Sequence, residues 1–463
     1  MIRRMLIANR GEIALRVARA CRELGIEVVA PYSTADAGSA VVRLADAAVC
    51  IGPPRPADSY LNIPNLIGAA LHTGADAVHP GYGFLSEDPD FAEICADAGL
   101  VFVGPRPSVM EQLGNKAVAR ALMSRAGLPL LAGTTEPVDT VEQARAVADA
   151  VGYPVIVKAA AGGGGRGMSV VESPRDLAPR YLTTRSTAQA VFGDSSVYIE
   201  RYLPDARHVE IQILCDEHGG GIHLGERDCS VQRRHQKLIE EAPSSRLSSP
   251  LRAAMGEAAV RAARAVGYTG AGTFEFLLDA DNRFYFMEVN ARIQVEHPVT
   301  EMTTGIDLVQ EQIRIASGLP LAVTQDAVTI SGAAIECRIN AEDPTRDFAP
   351  TPGLVETYRP PGGPWTRVDA DCCAGHRVSP YYDSLLAKVV VWAPDREQAL
   401  ARMRRALAEF EISGPALSTT VDLHRAILAH PQFRAGLHST AFIDHLLTAR
   451  PPAATGAVRP SAA

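Results

Sequence analysis

Lysine is almost missing from this 463-residue chain: it occurs four times, against 41 arginines among 45 basic side chains. Lysine is ordinarily among the commonest residues, so a composition favouring arginine has displaced it nearly everywhere. The survivors, Lys116, Lys158, Lys237 and Lys388, are expected where a guanidinium cannot replace a compact, flexible ammonium. Other absences narrow the class further. No apolar run reaches the roughly 18 residues of a membrane span. The eight cysteines, at 21, 50, 95, 215, 229, 337, 372 and 373, include no C-x-x-C, so reduced thiols are expected. A net charge of −8 leaves no global basic field for nucleic acid or acidic lipid. The opening residues Met1–Ala8 run straight into a strand pattern without a signal-cleavage motif. The expectation is a cytoplasmic enzyme of two to four domains.

What is present divides the chain into three styles. Met5–Ala8, Ile26–Pro31, Ala75–His79 and Leu100–Gly104 read as strands. Between them lie helical spacings at Ile13, Val17, Ala20, Cys21 and Leu24, and over Pro89–Ala98. Residues 1–113 are therefore expected to form a doubly wound parallel α/β domain. The turn after its first strand, Asn9-Arg10-Gly11-Glu12, lacks a glycine fingerprint, which argues against dinucleotide binding. A helix is expected over Val109–Ala126 and a strand over Val155–Lys158, inside a second unit spanning 114–330. A third unit, 331–447, opens on the alternating strand Ala333-Ile335-Cys337-Ile339 and includes an amphipathic helix over Arg396–Phe410. The Pro/Ala-rich residues 448–463 read as a disordered tail.

Lys158 leads into Gly162-Gly163-Gly164-Gly165-Arg166-Gly167. A dinucleotide loop would be followed by a helix, but Met168–Glu172 is strand-like; a phosphate-binding Walker loop would carry lysine where Met168 stands. A mobile lid that brings backbone N–H groups to phosphates remains, beside the plainer possibility of a flexible linker.

Thr273–Leu277 and Phe284–Asn290 form a hairpin around Asp279-Ala280-Asp281-Asn282. A turn centred there pairs 275 with 286 and 273 with 288, placing Glu275, Glu288 and Asn290 on one face with the glutamates diagonal. Such a hard-oxygen set suits Mg²⁺; a solvated strand face is the alternative. Continued alternation would aim Arg292, Gln294 and Glu296 at the same place, either to hold a small oxyanion beside a general base or as a structural ion-pair network. The segment Glu226–Lys237 reads as too polar for a core, either gripping an anion or forming a solvated loop.

Long literal stretches then carry a resemblance over residues 2–446: Ile7–Ala14, His79–Glu87, the glycine loop, Arg227–Lys237, Gly270–Phe276, Arg292–Thr300, Glu336–Asp343 and Tyr381–Ser384. The chain resembles the biotin carboxylase component of acyl-CoA carboxylases, an ATP-grasp enzyme. The resemblance implies a central ATP-grasp domain, its glycine-rich lid within 131–203, followed by a C-terminal α+β domain. It implies that ATP, bicarbonate and biotin give ADP, phosphate and N1-carboxybiotin through carboxyphosphate, with Mg²⁺ or Mn²⁺ at two sites. Lys116, Lys158 and Gly163–Gly165 would hold the ATP phosphates. Glu200, Arg201, Tyr202, Leu203 and His208 would line the adenine and ribose pocket, with Gln232 and His235 nearby. Glu275, Glu288 and Asn290 would hold metal; Lys237, Arg292, Gln294 and the Val295 backbone, bicarbonate; Glu296 would be the base and Arg338 would stabilise the biotin enolate.

The chain departs from the family pattern at Ser413–Thr420, which is expected to touch no ligand. No lysine sits in the Met-Lys-Met context of a biotinylated carrier, and Lys388 looks like a strand residue, so the carrier should be another chain. Carboxyltransferase partners and a homodimer are implied, with acetyl-CoA the expected acceptor of the wider complex. The same features leave open another bicarbonate-using ATP-grasp ligase or a catalytically idle binding subunit.

Overall fold

A computed structural model describes residues 2–134, 136–160 and 167–448. Residues 161–166, which carry all but the last residue of the glycine loop, and residues 449–463 lie outside these. The first unit is a five-stranded sheet, order β3-β2-β1-β4-β5, built from β1 (Arg4–Ile7), β2 (Glu27–Ser33), β3 (Ala47–Gly52), β4 (Ala77–His79) and β5 (Val101–Phe102). All four pairings are parallel. Successive residues of β1 face opposite cores: Met5 and Ile7 pack with helix α1 (Gly11–Glu23), whereas Leu6 packs with the helices Ile63–Thr73 and Pro89–Asp97. Both faces are covered, as the doubly wound expectation requires. The edge strand β3 was not picked out in the sequence although Ala47–Ile51 is a continuous apolar run; two of its six residues, Ala48 and Cys50, are exposed at the sheet edge.

A separate three-stranded antiparallel sheet, β7-β6-β8, comprises β6 (Val155–Ala159), β7 (Met168–Val171) and β8 (Val197–Arg201). It has its own core of Val155, Val157, Val197 and Ile199 under the helices Val141–Val151 and Leu177–Phe192, each such burial contributing about 1.5–3 kcal/mol. Lys158 and Met168 are cross-strand partners, so the glycine loop joins two paired strands.

The largest sheet is antiparallel with eight strands, ordered β13-β12-β9-β10-β11-β14-β19-β18. It contains β9 (Arg207–Cys215), β10 (Gly221–Arg233), β11 (Gln236–Ala242), β12 (Gly270–Leu278), β13 (Phe284–Asn290), β14 (Ala333–Asn340), β18 (Thr366–Asp369) and β19 (Leu385–Ala393). Two short ladders complete the chain: β15 (Glu342–Asp343) with β16 (Ala349–Pro350), and β17 (Thr357–Arg359) with β20 (Glu411–Ser413). The β11–β14 pairing carries the sheet without a break from the second unit into the third. On β14, Ile335, Cys337 and Ile339 face an apolar core closed by the helix Arg396–Glu409, capped by Asp395. The alternate positions Glu336 and Arg338 lie on the opposite face, from which Arg338 reaches the cavity.

Two expectations need correction here. The helix expected over Val109–Ala126 is two helices, Pro107–Gly114 and Lys116–Arg125. Asn115 breaks it because its side chain accepts from the N–H groups of Ala117 and Val118, both at 3.1 Å, ending one helix and capping the next. The segment Glu226–Lys237 is not too polar to be core. Most of it lies in β10, where Glu226, Arg227 and Asp228 are buried. Each charge is matched: Arg227 by Glu210, Asp228 by Arg207, Glu226 by Arg252 at 2.9 Å, which is what makes burial tolerable.

Candidate active site

A cavity of about 1030 Å³ opens between the small sheet, the large sheet and the first unit. Three of the four lysines line it: Lys116 from the start of its capped helix, Lys158 from β6 and Lys237 from β11. Arg201, Tyr202, Leu203, His208, Gln232 and His235 line it as well. So do Glu275, Glu288, Asn290, Arg292, Gln294, Val295, Glu296 and Arg338. Glu200 does not: it is buried behind the wall, accepting from Lys158 at 2.6 Å and from Arg120. Its side chain holds a lining lysine in place.

The carboxylate hairpin has a different register from the one expected. Leu278 pairs with Phe284, and a bulge between Glu275 and Phe276 puts Glu275 directly opposite Glu288 and Thr273 opposite Asn290. The cause is local. The loop Asp279–Arg283 has five residues, one more than the four expected, with Asn282 in the left-handed region at φ 61° and the Asp279 side chain accepting from the Arg283 N–H at 2.9 Å, and Met287 is the extra bulge residue. The glutamates are therefore cross-strand partners rather than diagonal ones, and the shared face survives: Asn290 donates to Glu275 at 3.0 Å.

Two carboxylates facing each other in a buried place repel unless cations intervene. Lys116 reaches Glu288 at 3.1 Å, and His208 Nε2 lies 2.9 Å from Glu275. Burial works against a charged His208, but Glu275 outweighs it and raises the imidazole pKa. The two carboxylates and the Asn290 amide oxygen form a hard-oxygen set that fits Mg²⁺ or Mn²⁺.

The deepest part of the cavity is a lattice of alternating charge. Lys237 Nζ touches Glu210 at 2.6 Å, Glu275 at 2.9 Å and Glu296 at 2.6 Å. Arg338 bridges Glu240 at 2.6 Å and Glu296 at 2.7 Å. Burial alone would push Glu296 up; Lys237, Arg338 and Arg227 prevail and hold it well below the usual carboxylate range. At Glu240 burial, helped by repulsion from Glu296, outweighs Arg338 and Lys237 and lifts it to about 7. The segment after β13 is a bend and a turn into the helix His297–Thr304, not the extended run expected, yet it still presents Arg292, Gln294 and Glu296 to the cavity.

Sequence reasoning missed several residues. Leu131, Ile156, Met168, Leu277 and Met287 give one end of the cavity its apolar wall. Leu277 was accessible from period two, since it shares a face with Glu275; the others carry no chemical signal. Glu87, unassigned despite lying in a quoted stretch, bonds the Arg292 guanidinium at 2.8 Å and the Ala291 N–H at 2.9 Å. The segment expected to be remote also reaches the site: Thr420 Oγ1 donates to the Arg338 carbonyl at 3.0 Å and accepts from Asn340 N–H at 3.0 Å.

An antiparallel sheet carrying paired metal-type carboxylates, next to a small sheet whose two strands flank a glycine run, defines an ATP-grasp ligase. Residues 1–110 match the family described as biotin carboxylase, N-terminal domain; residues 115–324 match carbamoyl-phosphate synthase L chain, ATP binding domain; residues 336–445 match biotin carboxylase C-terminal domain. A biotin carboxylase from Nostoc sp. is 55% identical over 96% of this chain and 99% of its own length. Biotin carboxylase 1 of Bacillus subtilis is 53% identical, covering 96% and 98%. Among solved structures, a biotin carboxylase complex with β-γ-ATP from Campylobacter jejuni superposes with a TM-score of 0.94 at 46% identity, covering 96% of this chain and 99% of that one. The biotin carboxylase domain dimer of Hydrogenobacter thermophilus 2-oxoglutarate carboxylase, solved with MgADP, ADP and bicarbonate, gives 0.93 at 46%, covering 96% and 98%. The chain belongs to the biotin carboxylase family.

Proposed function

We propose that this chain carboxylates biotin carried on a separate protein, using ATP and bicarbonate, as the first half-reaction of a biotin-dependent carboxylase. The observation that carries this reading is the placement of Glu296. It is a buried, ionised carboxylate between Lys237 and Arg338, in the same cavity as the phosphate-facing lysines Lys116 and Lys158. Lys116, Lys158 and the glycine segment 163–165 bind the ATP phosphates; the apolar wall with Tyr202, Leu203, His208, Gln232 and His235 takes the adenosine. Glu275, Glu288 and Asn290 hold the divalent metal, which when bound neutralises phosphate charge and aligns the terminal phosphoryl group.

Lys237, Arg292, Gln294 and the Val295 backbone hold bicarbonate beside Glu296. Glu296 removes the bicarbonate proton while the bicarbonate oxygen attacks the γ-phosphorus, giving ADP and carboxyphosphate. Carboxyphosphate splits into CO₂ and phosphate, and the phosphate takes the N1 proton of biotin. Arg338 stabilises the resulting enolate with its charge, and N1 attacks CO₂ to give carboxybiotin. A guanidinium anchored by Glu240 and Glu296 is already oriented and needs little reorganisation.

The carrier and carboxyltransferase are other chains, the protein works as a homodimer, and acetyl-CoA is the acceptor of the complete system. No described helix is long and apolar enough to cross a membrane, and all eight cysteines are free, which supports a cytoplasmic setting. The test is incubation with Mg-ATP, ¹³C-bicarbonate and free biotin. Mass spectrometry of the trapped product should show biotin plus one labelled carboxyl group; unlabelled biotin with ADP formed would contradict the proposal.

A further inference from the structure

Lys388 is the one lysine that does not line the cavity, and it is completely enclosed at 0% exposure. Burying an ammonium costs several kcal/mol unless acceptors surround it, so its partners indicate what it is for. Its Nζ donates to the Val295 carbonyl at 2.8 Å, lies 3.0 Å from Glu12 Oε1 and 4.0 Å from Asp369 Oδ2. Each partner belongs to a different part of the molecule. Val295 sits in the turn between Gln294 and Glu296; Glu12 is on α1 of the first unit; Asp369 is on β18, directly across from Lys388.

Asp369 has its own cation, Arg367, at 2.7 Å, and Arg367 also reaches Glu301 in the helix that follows the turn, at 2.6 Å. Glu12 accepts in addition from the Tyr82 hydroxyl, and Tyr82 lines the cavity. On β14 the residue opposite Lys388 is Arg338. The ammonium thus stands one layer behind the site and ties three units to the main chain of the turn that carries Gln294 and Glu296. An arginine could not take its place: a planar fork projects further and cannot direct two short bonds, to Val295 and Glu12, from one atom with Asp369 close by. That accounts for the survival of lysine here in a chain that has otherwise exchanged it for arginine.

We infer that Lys388 is a positioning residue for the bicarbonate half of the site, fixing the Gln294–Val295–Glu296 turn through the Val295 carbonyl. The inference rests on the biotin carboxylase reading above. A misplacement of about 1 Å at a reacting group can cost about 100-fold, so loosening this turn should be visible in kinetics. It should touch bicarbonate and spare ATP, because Lys116 and Lys158 stand on other elements.

The experiment compares K388M and K388R with the unsubstituted protein in biotin-dependent phosphate release, varying bicarbonate and ATP separately, alongside thermal melting. Both variants should raise the bicarbonate KM or lower kcat by about tenfold or more while the ATP KM moves less than about twofold. K388R restores charge balance but not the bond to Val295, so a merely structural role predicts rescue by K388R. Rescue, unchanged bicarbonate kinetics in folded K388M, or equal shifts in both KM values would overturn the inference. Should K388M not fold, K388R decides alone. Absence of turnover in the unsubstituted protein would instead strike the functional reading beneath it.

Discussion

Replacing Arg338 with glutamine tests the charge lattice by stability as well as by rate. Its guanidinium sits 2.6 Å from Glu240 and 2.7 Å from Glu296. At an effective dielectric of about 20, each contact is an attraction of about 6 kcal/mol before desolvation is subtracted. Removing one partner of a buried pair typically costs about 3–5 kcal/mol net. The two carboxylates respond differently. Glu296 keeps Lys237 at 2.6 Å and stays ionised, whereas Glu240 loses its guanidinium and already titrates at about 7. In R338Q the Glu240 pKa rises further, so the group takes up a proton and relieves much of the penalty.

The sign follows from linkage: a carboxyl whose folded pKa exceeds its unfolded value stabilises at low pH, and that contribution is lost as pH rises through the folded value. The destabilisation of R338Q should therefore be about 1–2 kcal/mol near pH 6 and approach about 3–5 kcal/mol near pH 9. Urea unfolding can be followed by tryptophan fluorescence. Trp365 and Trp392 meet edge to face with ring centres 5.2 Å apart, and Trp392 lies on β19, the strand beside that of Arg338. The double variant R338Q/E240Q should lose the pH slope. An equal deficit at pH 6 and pH 9, or a slope that persists in the double variant, would refute the assignment. The same R338Q protein should lose biotin carboxylation by about 100-fold or more while its ATP KM changes less than about threefold.

E296Q keeps shape and removes the base, so kcat should fall by about 10²–10⁴-fold with ATP binding by calorimetry nearly unchanged. E288Q should raise the Mg²⁺ concentration for half-maximal turnover by about tenfold, read from a metal titration; no shift would remove Glu288 from the metal set. N115A removes a helix cap worth about 1 kcal/mol, so hydrogen exchange at Ala117 and Val118 should quicken about fivefold, and the ATP KM should rise as Lys116 loses its anchor.

The scarcity of lysine was the most readable signal, since three of the four mark the cavity wall and the fourth lies directly behind it. The shared face of Glu275, Glu288 and Asn290 was legible from strand period; their register was not, because a single bulge residue, Met287, shifts pairing without changing the alternation seen on β12. Polarity misled at Arg227 and Asp228. A local pattern cannot show that the matching charges, Glu210 and Arg207, arrive from the neighbouring strand. Glu87 and Glu12 were hidden for the same reason: their partners Arg292 and Lys388 stand 205 and 376 positions away along the chain. The parallel sheet of the first unit was legible almost strand by strand because both its faces are buried and its strands are apolar runs; only β3, the edge strand with Ala48 and Cys50 exposed, went unassigned.

The measurement that bears most directly on the whole account is phosphate release from Mg-ATP with bicarbonate, with and without free biotin. Turnover that requires bicarbonate and rises with biotin is the result expected of this cavity. Turnover indifferent to biotin would contradict it and assign the site to a different bicarbonate-using ligase, while no turnover even with a carrier protein supplied would mean that the lattice around Glu296 holds charge without doing chemistry.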